Sequence, residues 1–105
     1  MYSINHDLFM KSTGAEYYSE KGLSFRAIAI KSLKKVMAEV VADTPTNCSH
    51  AHKVKGIALM CGAADAAHVC QKLESYGDIV SPVARQNTLQ HIIESLINLC
   101  FGRGS

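Results

Sequence analysis

The stretch AHKVKGIALMCGAADAAHVCQKLE, residues 51 to 74, decides the fold of this 105-residue chain. Apolar and small residues recur in it at steps of three and four on both sides of Gly62, which is the spacing of amphipathic helices. We predict one helix over roughly 45 to 61 and another over about 63 to 75, with Gly62 in the left-handed conformation that ends the first. The residues predicted to be buried are Ala51, Val54, Ala58 and Cys61 on the first helix and Ala63, Ala66, Ala67, Cys70 and Leu73 on the second.

The segment before this stretch predicts a longer helix over about 25 to 42. Ser24 is a candidate N-cap, and Leu23 and Ile28 stand at the positions of a hydrophobic staple. Apolar residues then recur at steps of three and four, so one face of this helix is predicted to be buried. The residues on that face are Ala29, Leu33, Val36, Met37 and Val40, while Lys31, Lys34 and Lys35 fall on the other side.

Two shorter segments precede this helix. Residues 4 to 12 predict a short helix, because its apolar residues share a face and Gly14 follows as a stop signal. Residues 15 to 21 are expected to add a turn or two, closed by Gly22. The apolar residues that share the face of the short helix are Ile4, Leu8 and Phe9.

Proline marks the start of two later helices. Thr44 and Pro45 suit the N-cap and first position of a helix, so the chain is expected to reverse direction within a few residues. Gly77 is the expected end of the helix that closes the stretch, and Ser81 and Pro82 then start a fifth helix. The inward residues of this fifth helix are predicted to be Leu89, Ile92, Ile93, Leu96 and Cys100.

These segments together predict an all-α fold, because none of them alternates at period two for long enough to form a strand. The short connections favour an antiparallel four-helix bundle with a short additional N-terminal helix. Hydrophobic residues make up 48% of the chain and charged residues 19%, which is typical of a globular protein. We therefore expect residues 1 to 105 to form a single domain.

Composition also excludes several classes of function. The longest apolar runs, such as IALM at 57 to 60, are too short to span a bilayer, and no leader pattern opens the chain, so we expect a cytoplasmic location. The net charge of +2 comes from scattered residues, which does not indicate a nucleic-acid surface. The four cysteines lie within helical patterns and show no C-x-x-C spacing, which favours reduced core thiols over a disulfide framework.

His52, Lys55 and Gly56 share one helix face, about 100° round from the predicted buried stripe. A neutral imidazole is a competent nucleophile near neutral pH, and a phosphoryl group on it would gain electrostatic support from Lys55. Glycine inside a helix costs roughly 1 kcal/mol relative to alanine, and Gly56 leaves bare backbone that a large partner can approach. No acidic pair for Mg²⁺ stands beside His52 and no nucleotide-binding loop is present, so a partner would have to supply the metal and the phosphoryl donor.

This stretch resembles the phosphoacceptor motif of histidine-containing phosphotransfer (HPt) domains, the relay modules of bacterial hybrid sensor kinases and multistep phosphorelays. The resemblance rests on His52, on Lys55 with Gly56, on the Gly62–Ala63 turn, and then on Cys70 and the Leu73–Glu74 pair. The fold of that family is also a four-helix bundle. One departure lies outside the motif, because some relatives carry a basic residue where this chain has Asp78.

The resemblance implies that His52 accepts a phosphoryl group from an aspartate of one receiver domain and passes it to another. Lys55 would neutralise phosphate charge, Gly56 would give access, and Glu74 would hydrogen-bond the imidazole and set which nitrogen is free. The implied partners are receiver domains of a hybrid sensor kinase and of a response regulator, and the receiver would supply Mg²⁺. No kinase or ATP-binding activity and no membrane contact of the chain's own is implied, although the chain is expected to be the C-terminal domain of a membrane-anchored sensor kinase.

Other hypotheses remain open at this point. Residues of metal-ligating type occur at Cys48, His50, His52, His68 and Cys70, although positions two apart on a helix diverge by about 200°. A module that docks on a receiver or kinase without accepting phosphate is a third class. His52 alone also fits a partly buried structural histidine, Lys55 a surface charge, and Gly56 a site of tight helix packing. Lys53 is expected to be a solvated residue with no role.

Overall fold

The structure, a computed structural model, describes residues 2–42, 48–77 and 79–102, and every regular element within those ranges is an α-helix. The prediction of an all-α chain is therefore confirmed for the described residues. The helices are α1 (His6–Thr13), α2 (Glu20–Ala42), α3 (Cys48–Cys61), α4 (Ala64–Ser75) and α5 (Pro82–Cys100).

Helices α3 and α4 form as the sequence predicts. α3 ends at Cys61, and Gly62 takes the left-handed conformation with a φ of 80°. α4 begins at Ala64, with Ala63 at the capping position, and ends at Ser75, two residues before Gly77. All of the residues predicted to be buried on these two helices are at most 7% exposed. The proposed cap at Thr44 and Pro45 lies outside the described residues.

The prediction for the start of α2 is wrong. The helix begins at Glu20, because the Ser19 hydroxyl accepts a hydrogen bond from the Gly22 N–H at 3.0 Å and so caps the helix five residues before Ser24. The proposed hydrophobic staple does not form, since Leu23 and Ile28 are both about half exposed. The predicted inward face is correct over Ala29, Leu33, Val36 and Val40, with Met37 half-buried.

The first and last helices, α1 and α5, each begin where a side chain caps the helix. α1 starts at His6 rather than residue 4, because the Asn5 side chain accepts hydrogen bonds from the backbone N–H groups of Asp7 and Leu8. Gly14 ends it with a φ of 72°, as predicted. α5 starts at Pro82, where the Ser81 hydroxyl accepts from the Ala84 N–H, and its predicted inward residues are buried: Leu89, Ile92, Ile93, Leu96 and Cys100.

Helix α3 is central to the packing, because it contacts each of the other four helices. α2 also packs along α5, and α4 contacts α5. The main core is shared by α2, α3, α4 and α5, with fully buried residues that include Leu33, Val54, Cys70, Leu89 and Ile92. This packing buries one side of α3 and leaves its opposite side facing outward.

The described cysteine thiols are buried and free, in agreement with the prediction of reduced core residues. Burial raises the pKa of the Cys70 thiol to about 12, so this thiol stays protonated at neutral pH. The sulfur atoms of Cys61 and Cys100 lie 4.0 Å apart where α3 meets α5. Nowhere in the described residues is a helix long and apolar enough to cross a membrane.

Gly22 lies where the backbone of residues 16 and 17 packs closely against the first turn of α2. A Cβ built on Gly22 would lie 2.0 Å from the carbonyl oxygen of Glu16 and 2.9 Å from that of Tyr17. Nearby, the buried Arg26 donates through Nε to the Cys100 carbonyl oxygen at 3.0 Å and stacks over the Tyr17 ring. Residues 16 and 17 are thus held against the first turn of α2. At position 22 only a glycine leaves room for their carbonyl oxygens.

Replacing Gly22 with alanine is expected to destabilise the protein, because the new methyl group collides with backbone atoms that cannot rotate away. Overpacking of this kind costs typically about 1–3 kcal/mol, which corresponds to a fall in melting temperature on the order of 10 °C for a domain of this size. Thermal unfolding followed by far-UV circular dichroism measures the change. The matched control is Gly56→Ala, where a Cβ meets nothing within 4 Å, and this variant should melt slightly higher than wild type. A Gly22→Ala protein as stable as wild type would contradict the close approach.

Candidate functional site

His52 lies on the outward side of α3, and its side chain is 72% exposed. Its Nδ1 atom is 2.7 Å from the Oε1 atom of Glu74 on α4. The residue pattern predicts His52 as a member of the site and the family resemblance implies Glu74, and the packing of α3 on α4 brings them together across 22 positions of sequence. The exposure of His52 rules out the alternative of a partly buried structural histidine.

Glu74 is the residue that connects the site. One of its carboxylate oxygens contacts His52, and the other accepts a hydrogen bond from the Lys55 ammonium at 2.6 Å. The hydrogen bond from Lys55 is the largest cause and lowers the pKa of Glu74; desolvation opposes it, and the hydrogen bond from His52 lowers the pKa further. Glu74 is therefore ionised at neutral pH, and its two oxygens hold the His52 and Lys55 side chains of α3 in position.

The ionised state of Glu74 decides the tautomer of His52. A carboxylate can only accept hydrogen bonds, so the neutral imidazole must carry its proton on Nδ1 and leave its lone pair on Nε2. The two ring nitrogens point in widely different directions, so Nε2 faces away from α4. Within the described residues Nε2 has no hydrogen-bond partner. In this tautomer the exposed imidazole presents the Nε2 lone pair at the surface.

Lys55 is more constrained than a surface lysine. Its side chain is 21% exposed, and besides Glu74 its ammonium donates to the Oε1 atom of Gln71 at 2.9 Å. Gln71 was not among the predicted site residues, and its Nε2 in turn donates to the Ser75 hydroxyl at 3.2 Å. Gln71 precedes Glu74 by three residues, which places both on the same face of α4, and this spacing could have identified it from the sequence. Gln71 and Glu74 together hold the lysine ammonium beside the imidazole.

Gly56 lies one turn beyond His52 on the same exposed side of α3. A Cβ built on it would meet nothing within 4 Å. The hypothesis that Gly56 permits tight helix packing is therefore wrong, because no atom of another helix that the structure describes lies within 4 Å of that Cβ. The residue instead forms part of the wall of a shallow open groove between α2 and α3, opposite Ser32 and Val36.

Lys53 is exposed, as predicted, and is not part of the His52 cluster. Its ammonium lies 3.0 Å from the Oε1 atom of Glu39 on α2, a contact that the sequence did not indicate. The hydrogen bond from Lys53 lowers the pKa of the Glu39 carboxyl. Because both groups are exposed to solvent, this ion pair contributes little to the stability of the protein.

The metal hypothesis finds no support in the geometry. His50 is buried in the interior, whereas His52 and His68 are exposed, so these imidazoles do not converge. The side chain of Cys48 lies outside the described residues. Among the side chains that the structure describes, no three of histidine, cysteine, aspartate or glutamate are placed to hold a metal ion.

Comparison with known proteins gave one match. The family model described as Hpt domain matches residues 29–99, about two thirds of the chain, from the middle of α2 to the end of α5. The matched region includes His52, Lys55, Gly56 and Glu74 but excludes α1. No curated protein and no solved structure gave a match.

Proposed function

This chain belongs to the Hpt domain family, and we propose that His52 is the residue on which it carries a phosphoryl group between two receiver domains. Hpt domains act in phosphotransfer within phosphorelays and generally interact with receiver domains. One observation supports the assignment to His52 above the others. Its imidazole is exposed, and an ionised Glu74 binds Nδ1 so that Nε2 carries the reactive lone pair.

The chemical step follows from this tautomer. The Nε2 lone pair attacks the phosphorus of an aspartyl phosphate on the donor receiver, an N–P bond forms, and the bond from phosphorus to the aspartate oxygen breaks. The aspartate leaves as a carboxylate, so no proton has to be supplied to it. The proton on Nδ1 stays in place, and Glu74 stabilises the positive charge that develops on the ring. The same step in reverse passes the group to the acceptor receiver.

The chain's own cations act alongside those of its partner. Lys55 lies beside the imidazole and offsets the negative charge of the transferred phosphoryl group. Phosphoryl transfer depends on such positioning and charge neutralisation. We assign Mg²⁺ to the receiver domain and none to this chain.

We propose that α2, α3, α4 and α5 form an antiparallel four-helix bundle, that α1 is an additional helix packed against it, and that residues 1 to 105 form a single domain. The tight turn at Gly62 and the packing of α2 along α3 and α5 support this arrangement. The bundle would serve to hold α3 and α4 side by side, which is what Glu74 needs to reach His52.

A two-receiver transfer assay tests the proposed function. A receiver domain labelled with radioactive phosphate on its aspartate is mixed with this chain, and a second, unlabelled receiver is added once the chain has taken up label. We expect label to move from the first receiver to the chain and then to the second. Uptake without discharge to any acceptor would contradict the relay role, and a chain that binds receivers without uptake would favour a module that only docks.

Lys55→Ala is expected to slow transfer in both directions by about tenfold without abolishing it, because it removes electrostatic support but keeps the nucleophile. Rates of transfer from and to a phosphorylated receiver measure the effect. Lys53→Ala removes the same charge from the neighbouring exposed face and should transfer at the wild-type rate. Equal rates for the Lys55 variant and wild type would show that this lysine has no part in the chemistry.

A further inference from the structure

Two cysteine side chains meet where α3 and α5 end. Cys61 is the last residue of α3 and Cys100 is the last residue of α5, and their sulfur atoms lie 4.0 Å apart. Cys61 is fully buried, and Cys100 is only 3% exposed. The phosphotransfer chemistry proposed for His52 uses neither thiol, so their close placement calls for a separate explanation.

The gap between the two sulfur atoms is small enough to close without unfolding. A disulfide bond is about 2.05 Å long, so the sulfur atoms have to approach each other by roughly 2 Å. A rotation of roughly 30° about χ1 moves a sulfur atom by about 1 Å, and two such rotations towards each other cover the distance. The pair packs against apolar side chains, which are the buried Ala29 of α2 and the partly buried Ile4, Ile30, Ile57 and Met60.

The end of α5 is held in place by two side chains, one that precedes α2 and one that lies on it. The Tyr17 hydroxyl donates to the Leu99 carbonyl oxygen at 2.9 Å, and the Arg26 Nε donates to the Cys100 carbonyl oxygen at 3.0 Å. Both carbonyl groups belong to the last turn of α5. Cys100 is thus fixed opposite Cys61, which gives the two thiols a high effective concentration relative to each other.

The surroundings of the pair make one thiol more reactive than the other. The thiolate is the reactive form of cysteine. The hydrogen bond from the Cys61 thiol lowers the pKa of Cys100, burial opposes this effect, and the charge of Arg26 lowers the pKa further. The same hydrogen bond, together with burial, raises the pKa of Cys61. Cys100 is therefore the thiol that ionises and attacks first.

We propose that Cys61 and Cys100 form a redox pair, which a peroxide converts to a disulfide that ties the end of α3 to the end of α5. The Cys100 thiolate attacks one oxygen of hydrogen peroxide, the O–O bond breaks, and hydroxide leaves as a sulfenic acid forms. The hydroxide takes up the proton that the Cys100 thiol has lost. The Cys61 thiol then attacks the sulfenic sulfur, an S–S bond forms, and the hydroxyl leaves with the Cys61 proton as water. Two thiols and one peroxide thus give one disulfide and two water molecules.

The disulfide would stabilise the fold. It joins residues 39 positions apart in the sequence, and a cross-link over a long loop restricts the unfolded chain strongly. We expect the melting temperature of the oxidised chain to rise by on the order of 10 °C. Cys61 follows His52 by nine residues, roughly 13 Å along the axis of α3, so small rotations at Cys61 leave the imidazole in place. The pair therefore makes the stability of the chain, rather than the geometry at His52, respond to oxidation.

Hydrogen peroxide treatment of the folded chain tests the redox pair. The chain carries Cys48→Ser, which removes the cysteine whose side chain lies outside the described residues, and thiols that remain are alkylated after unfolding. We expect the intact mass to fall by two hydrogen atoms and digestion without reduction to release one linked pair of peptides, which contain Cys61 and Cys100. Thermal unfolding followed by circular dichroism should show the rise in melting temperature, and dithiothreitol should reverse it. Neither readout depends on phosphoryl transfer, so the result is independent of the proposed function.

Cys70 provides the matched control, because it is as fully buried as Cys61 but belongs to the main core. Cys70→Ala should still form the disulfide, whereas Cys100→Ala should melt alike with and without peroxide. Peroxide treatment in concentrated urea should give a mixture of pairings that includes Cys70, because the unfolded chain no longer selects one. A folded chain in which Cys61 and Cys100 are both still alkylated, or in which either is linked to Cys70, would overturn the redox pair. A disulfide between Cys61 and Cys100 that leaves the melting temperature unchanged would overturn its stabilising role.

Discussion

His52→Gln is expected to abolish phosphoryl acceptance while leaving helicity and melting temperature nearly unchanged. The imidazole is the nucleophile in our account, and the glutamine side chain has no basic ring nitrogen to replace its Nε2 atom. The side chain is 72% exposed, so its replacement removes little packing. The measurement is labelling by a phosphorylated receiver and by phosphoramidate, together with a thermal melt on the same preparation.

The matched control for this variant is His91→Gln, which removes an exposed imidazole from α5 and should label like wild type. The wild-type label should be acid-labile and alkali-stable, because the bond to the ring is a phosphoramidate. Label on the His52 variant, or a label with the opposite stability, would place the phosphoryl group on a different residue.

Gly56→Gln should slow transfer to and from receivers by at least about tenfold, equivalent to roughly 1.4 kcal/mol of lost docking free energy. The new side chain has free space in the isolated protein, since a Cβ at this position meets nothing within 4 Å. It would therefore obstruct only a partner that approaches the backbone one turn from His52. Replacing glycine inside a helix also stabilises it by about 0.5–1 kcal/mol, so the variant should melt a few degrees higher than wild type.

The transfer rate and the melting temperature of Gly56→Gln are measured on one preparation. Receiver-dependent rates are measured beside the melting temperature, and labelling by phosphoramidate serves as the control for an intact nucleophile. Gly56→Ala, with a much smaller side chain, should slow transfer less than Gly56→Gln. A stable Gly56→Gln protein that exchanges with receivers at the wild-type rate would refute the access role.

The sequence predicted the part of the fold that depends on local pattern. The helices α3 and α4 and their buried faces follow from residues spaced at three and four positions, and Gly62 between them takes the left-handed conformation that its type allows. The pairing of Glu74 with His52 was implied only by the resemblance to a family, because 22 positions separate them and no periodicity brings them together.

Other features depend on tertiary contacts that local patterns do not contain. α2 extends back to Glu20 because Ser19 caps it and Gly22 fits against the Glu16 carbonyl, whereas Gly22 alone favoured a break in the helix. The contact of Gln71 with Lys55 depends on the packing of α4 beside α3, which the spacing within either helix does not predict. The ion pair of Lys53 with Glu39 likewise requires α2 and α3 to lie side by side.

The most direct test of the central claim is to identify the nitrogen that carries the phosphoryl group. The chain is produced with ¹⁵N-labelled histidine and phosphorylated with phosphoramidate, and one-bond coupling between ³¹P and ¹⁵N is then measured by NMR. Because Glu74 holds the Nδ1 proton of His52, we expect coupling to Nε2 of His52 alone. Coupling to Nδ1, or to either nitrogen of another histidine, would contradict the account.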